Sequence, residues 1–168
     1  MSARIAFLSN QGEIGGGEVM LLALAEAARD LGHEVVVAAP EQPADVVEAA
    51  KARGFPVVAV PGRDARSYAR HLRAWARRSD ADLLWCNGLR PAFATVGLAK
   101  RVVHLHQIPQ GRTAIAARVA RRGCRATVVP SHHVGERVPG SIVLENWVAP
   151  VATARSGEIG LMPDPSAG

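Results

Sequence analysis

Three consecutive glycines, Gly15, Gly16 and Gly17, separate an apolar run, "RIAFLS", from a long apolar stretch with helical spacing, and Glu18 follows at once. Glycine has no Cβ, so its backbone N–H groups can come close to a ligand, and it tolerates the positive φ of a tight turn. A helix beginning here adds unpaired N–H donors and a partial positive charge. Together these features suit an anion, with a diphosphate as the natural occupant; a plain tight turn is the simpler alternative. Glu18 in the first turn favours the helix dipole and can cap the backbone, so a capping role and a ligand contact both fit it. Asn10 and Gln11 open the glycine loop. The remaining candidates stand at the ends of later apolar runs: Asn87 and Gly88 after "DLLWC", with Arg90 close behind, and His106 closing "VVHLH". Asn87, Gly88 and Arg90 can line a pocket or simply turn the chain into a helix. His104 lies on the same side as His106 and reads as a buried, hydrogen-bonded core histidine. His132 and His133 read as solvent or pocket-rim residues, and Cys86 as a core thiol.

Two phosphate-binding motifs fit this loop poorly. A dinucleotide fingerprint needs G-x-G-x-x-G, whereas Gly12, Gly15, Gly16 and Gly17 give G-x-x-G-G-G; only Glu41, past the second strand, suits a ribose-binding acid. A P-loop would need a following Gly-Lys-Ser/Thr, which is missing. Cys86 and Cys124 have neither metal-ligand spacing nor a disulfide framework, so no metal is expected.

The candidates sit at regular places in an alternating pattern. Strands are expected at 4–9, 34–39, 56–60, 82–86, 102–106, 126–130 and 141–145, and helices at 18–31, 43–53, 64–78, 90–99, 112–122 and 131–137. Most strands are continuously apolar, as in a parallel sheet covered on both faces. The β-α-β order implies an α/β, Rossmann-like, doubly wound, mainly parallel sheet of about seven strands. In such a sheet ligands bind at the carboxyl ends of the strands, where all the candidates lie. The helix at 64–78 is amphipathic: Tyr68, Leu72 and Trp75 share one face, and Arg66, Arg70, Arg73 and Arg77 the other. A second basic face carries Arg118, Arg121, Arg122 and Arg125. A solvated face is the ordinary reading of such a stripe; contact with an anionic membrane surface or acidic acceptor is the other. One domain spans 1–150, and 151–168 has the small polar composition of a linker leading into a further domain.

With 168 residues, 48% of them hydrophobic, the chain can bury a real core. No apolar run reaches the roughly 20 residues of a membrane span, and the N-terminus enters a strand without a secretory leader. The charge is +5 and the pI about 10.2, yet only Lys51 and Lys100 among the 20 basic residues are lysines. Codon bias in a GC-rich genome is the ordinary reading of most of that arginine excess, and recognition of phosphate or anionic lipid by the guanidinium fork is the other. Nucleic acid is not expected as a partner, because aromatics are 4% of residues and no basic, aromatic-interleaved motif occurs. Sparse cysteine use suits a reducing cytoplasm.

"IAFLSNQGEIGGGEVMLLALAEAARDLGHEVVVAAP" resembles the opening of the retaining glycosyltransferases of family 4, which have the two-domain GT-B architecture. Gly15 to Glu18 match that family's Gly-Gly-x-Glu, and "LGHEVVVAAP" matches its helix exit and second strand. Downstream, "ADLLWCNG", "RVVHLHQ", "ATVVPSHHVGERV" and "IVLENWVAP" resemble later segments in order, with His106, Ser131 and Asn146 at matching positions; Trp147 and Ala149 depart from the pattern. The resemblance runs over residues 3–150 and implies one half of a GT-B fold, the N-terminal, acceptor-side domain. It implies a nucleotide-diphosphate sugar as substrate, retained configuration, and no required cofactor. Gly15, Gly16, Gly17 and Glu18 would meet the donor diphosphate or acceptor, and His106 would be the catalytic-site histidine near the transferred sugar. Asn10, Gln11, Asn87, Gly88, Arg90 and Ser131 would line the pocket of an acceptor, whether a sugar, a lipid-linked or a small molecule. The family's C-terminal domain, with most of the nucleotide-sugar site, lies outside this sequence, so the chain alone is expected to be inactive. The alternative is a non-catalytic nucleotide-binding or orphan half-domain acting through a partner chain. The expected location is cytoplasmic, with the arginine stripe offering peripheral contact at the inner membrane face.

Overall fold

The computed structural model describes residues 2–146. The expected linker at 151–168, and the Trp147 and Ala149 departures, lie outside the described residues. The elements alternate as expected: β1 (Arg4–Leu8), α1 (Gly16–Asp30), β2 (Glu34–Pro40), α2 (Asp45–Ala52), β3 (Val57–Val60), α3 (Ala65–Arg78), β4 (Leu83–Asn87), α4 (Leu89–Ala94), β5 (Arg101–His104), α5 (Gly111–Ala120), β6 (Ala126–Val129), α6 (His132–Arg137) and β7 (Ile142–Val143). The seven strands form one sheet in the order β3-β2-β1-β4-β5-β6-β7, and every pairing is parallel.

Successive strand residues face opposite sides, and both sides are covered. In β1, Ala6 and Leu8 join a cluster with Tyr68, Leu72, Leu84 and Val103, while Phe7 joins a second cluster with Met20, Leu21, Val37 and Val46. This is why the strands read as unbroken apolar runs. The helices α1 and α2 supply the second cluster, and α3, α4 and α5 the first. The chain leaves β1 toward β2 but returns from β3 to lay β4 on the other side of β1. That reversal opens a crevice beyond the carboxyl ends of β1 and β4.

The helix α3 is the most sharply amphipathic element by sequence, and it buries Tyr68, Leu72 and Ala76, with Trp75 half-buried beside them. Its arginine stripe is not uniform. Arg66, Arg70 and Arg77 are exposed, but Arg73 is half-buried, and its Nη1 donates to the carbonyls of Ala94 and Val96 at 2.8 Å each. The free carbonyls at the end of α4 draw this guanidinium in.

Three local expectations change. The strand expected at 102–106 begins at Arg101 and ends at His104. Arg101, which the sequence pattern passes over, is fully buried, and its guanidinium donates to the carbonyls of Leu98, Ala92, Ala120 and Arg122. Carbonyls at the ends of α4 and α5 take the place of a carboxylate, which ties those helices to the sheet. The helix expected at 90–99 stops at Ala94: the Thr95 hydroxyl bonds back to Pro91 O at 2.7 Å, and Gly97 turns the chain at φ 80°. His104 is fully buried as expected, but neither ring nitrogen has a hydrogen-bond partner among the described residues. It packs instead against aromatic neighbours, edge-on to Trp85 at 5.8 Å and 4.1 Å from the His106 ring. Burial holds its pKa at about 3, so the ring is neutral.

Candidate functional site

The crevice at the strand ends is a cleft of about 410 Å³. One wall is the glycine loop and the start of α1: Asn10, Gln11, Gly15, Gly16, Gly17 and Glu18. Gly88, Leu89 and Leu105 also line the cleft, as do His106, Gln107, Ile108, Pro109 and Thr113 from the segment after β5 and the start of α5. The glycine loop and His106, far apart in sequence, therefore open onto the same space.

The glycines differ in what they permit. A Cβ on Gly16 would meet nothing within 4 Å, so this backbone faces open cleft. A Cβ on Gly17 would lie 3.1 Å from His106 Cδ2; glycine here lets the imidazole rest on the start of the helix. Gly88 has φ 104°, and a Cβ would sit 2.8 Å from Asn10, so both backbone shape and crowding demand glycine where β4 passes the loop. Asn10 Oδ1 then accepts from Arg90 N at 3.1 Å. The first N–H groups of α1, at Gly16 and Gly17, precede any carbonyl the helix could offer them.

Glu18 is buried at the base of the loop, where Gln11 Nε2 donates to its Oε2 at 3.4 Å. Burial raises its carboxyl pKa, opposed by hydrogen bonds from the backbone of Glu18 and Gly15 and by the positive charge of Arg90. The carboxylate folds back on the N-cap, where a Cβ on Gly15 would lie 3.2 Å from its Oε2. His106 Nε2 lies 2.8 Å from Asn87 Oδ1, and Asn87 Nδ2 donates to Gly17 O at 3.0 Å. Burial lowers the His106 pKa.

Other sequence candidates take different places. Asn87 is fully buried beside the cleft, and its side chain hydrogen-bonds Gly17 and His106, which line it. Arg90 lines an adjoining cavity of about 270 Å³, shared with Gln11, Arg63, Asp64 and Tyr68. The Ser131 hydroxyl caps α6 by accepting from Val134 N at 3.3 Å and does not line either cavity. His132 and His133 are exposed, and Cys86 is a buried thiol raised to about 11 by burial. No group of three His, Cys, Asp or Glu side chains is placed to hold a metal ion among the described residues. The sequence candidates omit the 107–109 segment and Thr113. The strand-end rule selects their loop, but "QIPQGRT" carries no chemical signal of its own, and only folding brings it across from the glycines.

The family model for Glycosyltransferase Family 4 matches residues 14–143. The fold is shared with HepE (Alr3699) from Anabaena, solved with UDP-glucose, at a TM-score of 0.68 and 19% identity over 86% of this chain and 44% of that one. The same protein solved with UDP and glucose gives a TM-score of 0.67 at 20% identity. MurG from Acinetobacter baumannii gives 0.56 at 15% identity, covering 76% of this chain and 41% of that one. No curated relative matches the sequence. The chain thus spans less than half the length of these structures, and the part it matches is one Rossmann-like half of the GT-B architecture. The chain belongs to Glycosyltransferase Family 4.

Proposed function

We propose that this chain is the N-terminal, acceptor-side half of a retaining glycosyltransferase, and that its cleft receives the diphosphate and sugar of a nucleotide-sugar donor. The observation that carries this reading is the shared opening of Gly16, Gly17 and His106 onto one strand-end cleft in a family 4 chain. HepE holds UDP-glucose in its solved complex, which makes a nucleoside-diphosphate sugar the first donor to test. As the bond between the sugar and the diphosphate breaks, its electron pair passes to the diphosphate oxygen. The N–H groups of Gly16 and Gly17, fixed at the positive end of α1, would stabilise that charge without moving. His106 would hydrogen-bond the transferred sugar. The acceptor hydroxyl would enter past Asn10, Gln11 and Gly88, with Arg90 at the neighbouring cavity. The reading invokes no metal or cofactor.

One wall of a cleft gives a donor few contacts, while lost translational freedom on binding still costs about 4 kcal/mol or more. The chain alone should therefore bind nucleotide sugars weakly and transfer nothing; the other wall would come from a C-terminal domain or from a partner chain. Calorimetry of the 168-residue chain with uridine- and guanosine-diphosphate sugars, beside an assay for released nucleotide, is the direct test. Micromolar binding with transfer by the chain alone would overturn the one-wall reading. Weak binding that strengthens when a family C-terminal domain is added would support it.

No helix among the described residues is long and apolar enough to cross a membrane. We place the protein in the cytoplasm, with Arg66, Arg70 and Arg77 offering peripheral contact with an anionic membrane face. Salt-sensitive sedimentation with anionic vesicles tests this, since exposed charges are screened over about 8 Å at physiological ionic strength. Equal sedimentation with neutral vesicles leaves the stripe as a solvated face.

A further inference from the structure

The histidine in the cleft is held from behind. Asn87 ends β4, is fully buried, and its side chain bridges two parts of the site. Its Nδ2 donates to Gly17 O at 3.0 Å, which fixes the orientation of the amide, and its Oδ1 is thereby turned to His106 Nε2 at 2.8 Å. An amide oxygen can only accept, so Nε2 must carry the hydrogen. The His106 ring is partly desolvated, and Nδ1 has no hydrogen-bond partner among the described residues although the ring lines the cleft. The Gly17 backbone stands beside one edge of the ring, where a Cβ would come within 3.1 Å of Cδ2, and the His104 ring packs against it with centroids 4.1 Å apart. Few other orientations of the imidazole are open to it.

We infer that Asn87 is a positioning residue that, by bonding Gly17 and His106 at once, fixes His106 as the Nε2–H tautomer and leaves Nδ1 as a hydrogen-bond acceptor. The group that Nδ1 takes is then a donor, such as a hydroxyl, and not a carbonyl or carboxylate oxygen. The same amide ties the diphosphate loop to the histidine, so a shift at one is felt at the other. Naming that hydroxyl as one on the transferred sugar rests on the glycosyl-transfer reading; the tautomer itself does not.

The test is ¹⁵N NMR of the labelled 168-residue chain at a pH where His106 is neutral. The ionisable groups near the ring are His104 on β5 and Glu18 on α1 in the same cleft, and Arg90 on α4 acts on Glu18. We expect the single ring proton on Nε2, protected from exchange with water. In Asn87→Asp the carboxylate still accepts from Nε2–H and favours the imidazolium, so the His106 pKa should rise by about 1–3 units. In Asn87→Leu the bridge is gone; the pKa should not rise, and the Nε2 proton should lose its protection. A wild-type ring protonated on Nδ1, or the same His106 pKa in both variants, would overturn the assignment. If either variant fails to fold, the wild-type proton position decides the matter. Because no substrate is needed, failure to bind nucleotide sugars and failure of this assignment are read separately.

Discussion

Two long helices of this molecule begin at the same end of the sheet and begin differently. The start of α3 is closed by its own side chains: the Asp64 carboxylate accepts from Arg66 N and Ser67 N at 2.9 and 2.8 Å, and the Ser67 hydroxyl accepts from Asp64 N at 3.1 Å. The start of α1 has glycine at the N-cap and at the next two positions, with no N-cap side chain to accept, and it opens onto the cleft. The carboxylates follow suit. Asp64 is exposed, and hydrogen bonds from the Ser67 backbone and hydroxyl lower its pKa; Glu18 is buried, and desolvation raises its pKa. One terminus satisfies its donors within its own first turn, and the other leaves those of Gly16 and Gly17 at the cleft, where the proposed function puts the diphosphate.

The sharpest way to break this contrast is Gly16→Val. The space around Gly16 is open, so the variant should keep its melting temperature. In the complete transferase, however, kcat should fall by about 10²-fold or more, the effect of losing an oriented donor to the developing charge. Wild-type turnover in a folded variant would make α1 an ordinary helix start. Gly17→Ala should act through packing instead: its Cβ would push on His106 at 3.1 Å and cost about 1–3 kcal/mol in urea unfolding. An unchanged midpoint would mean that the ring yields freely.

The two carboxylates offer smaller effects of opposite sign. Asp64→Ala should lower Tm by a few degrees at neutral pH and leave turnover unchanged. Because the folded-state pKa of Asp64 is depressed, its contribution is present above the ordinary carboxylate pKa and fades as pH falls through the folded value, below about pH 4. The difference from wild type should therefore shrink in acid. Glu18 works the other way: its folded pKa is raised, so wild-type stability declines as pH rises through that value. Glu18→Gln keeps an acceptor for Gln11 without the charge, and its Tm should gain on wild type from acid toward pH 8. A loss at pH 8 would show that the Glu18 charge supports the loop more than burial opposes it.

The order of elements, the parallel sheet and the strand-end location of the candidates were legible from the sequence, because apolar runs, helical periodicity and glycine placement are local properties with fixed periods. The buried face of α3 was legible for the same reason: Tyr68 and Leu72 recur at helical spacing. Long-range partners were not. Arg73 and Arg70 look alike in the sequence, and only the nearby end of α4 withdraws Arg73 from the surface. Arg101 falls just outside the strand expected at 102–106, yet it is buried because the ends of α4 and α5 supply its acceptors. Asn87 reads as a pocket residue, and its bonds to Gly17 and His106 exist only because β1, β4 and β5 lie side by side and bring those chain segments within hydrogen-bond reach. Sequence by itself determined which residue types stand at the strand ends. The strand order decided which of them meet, since hydrogen bonds act over about 3 Å and depend on chain crossings that no local pattern encodes.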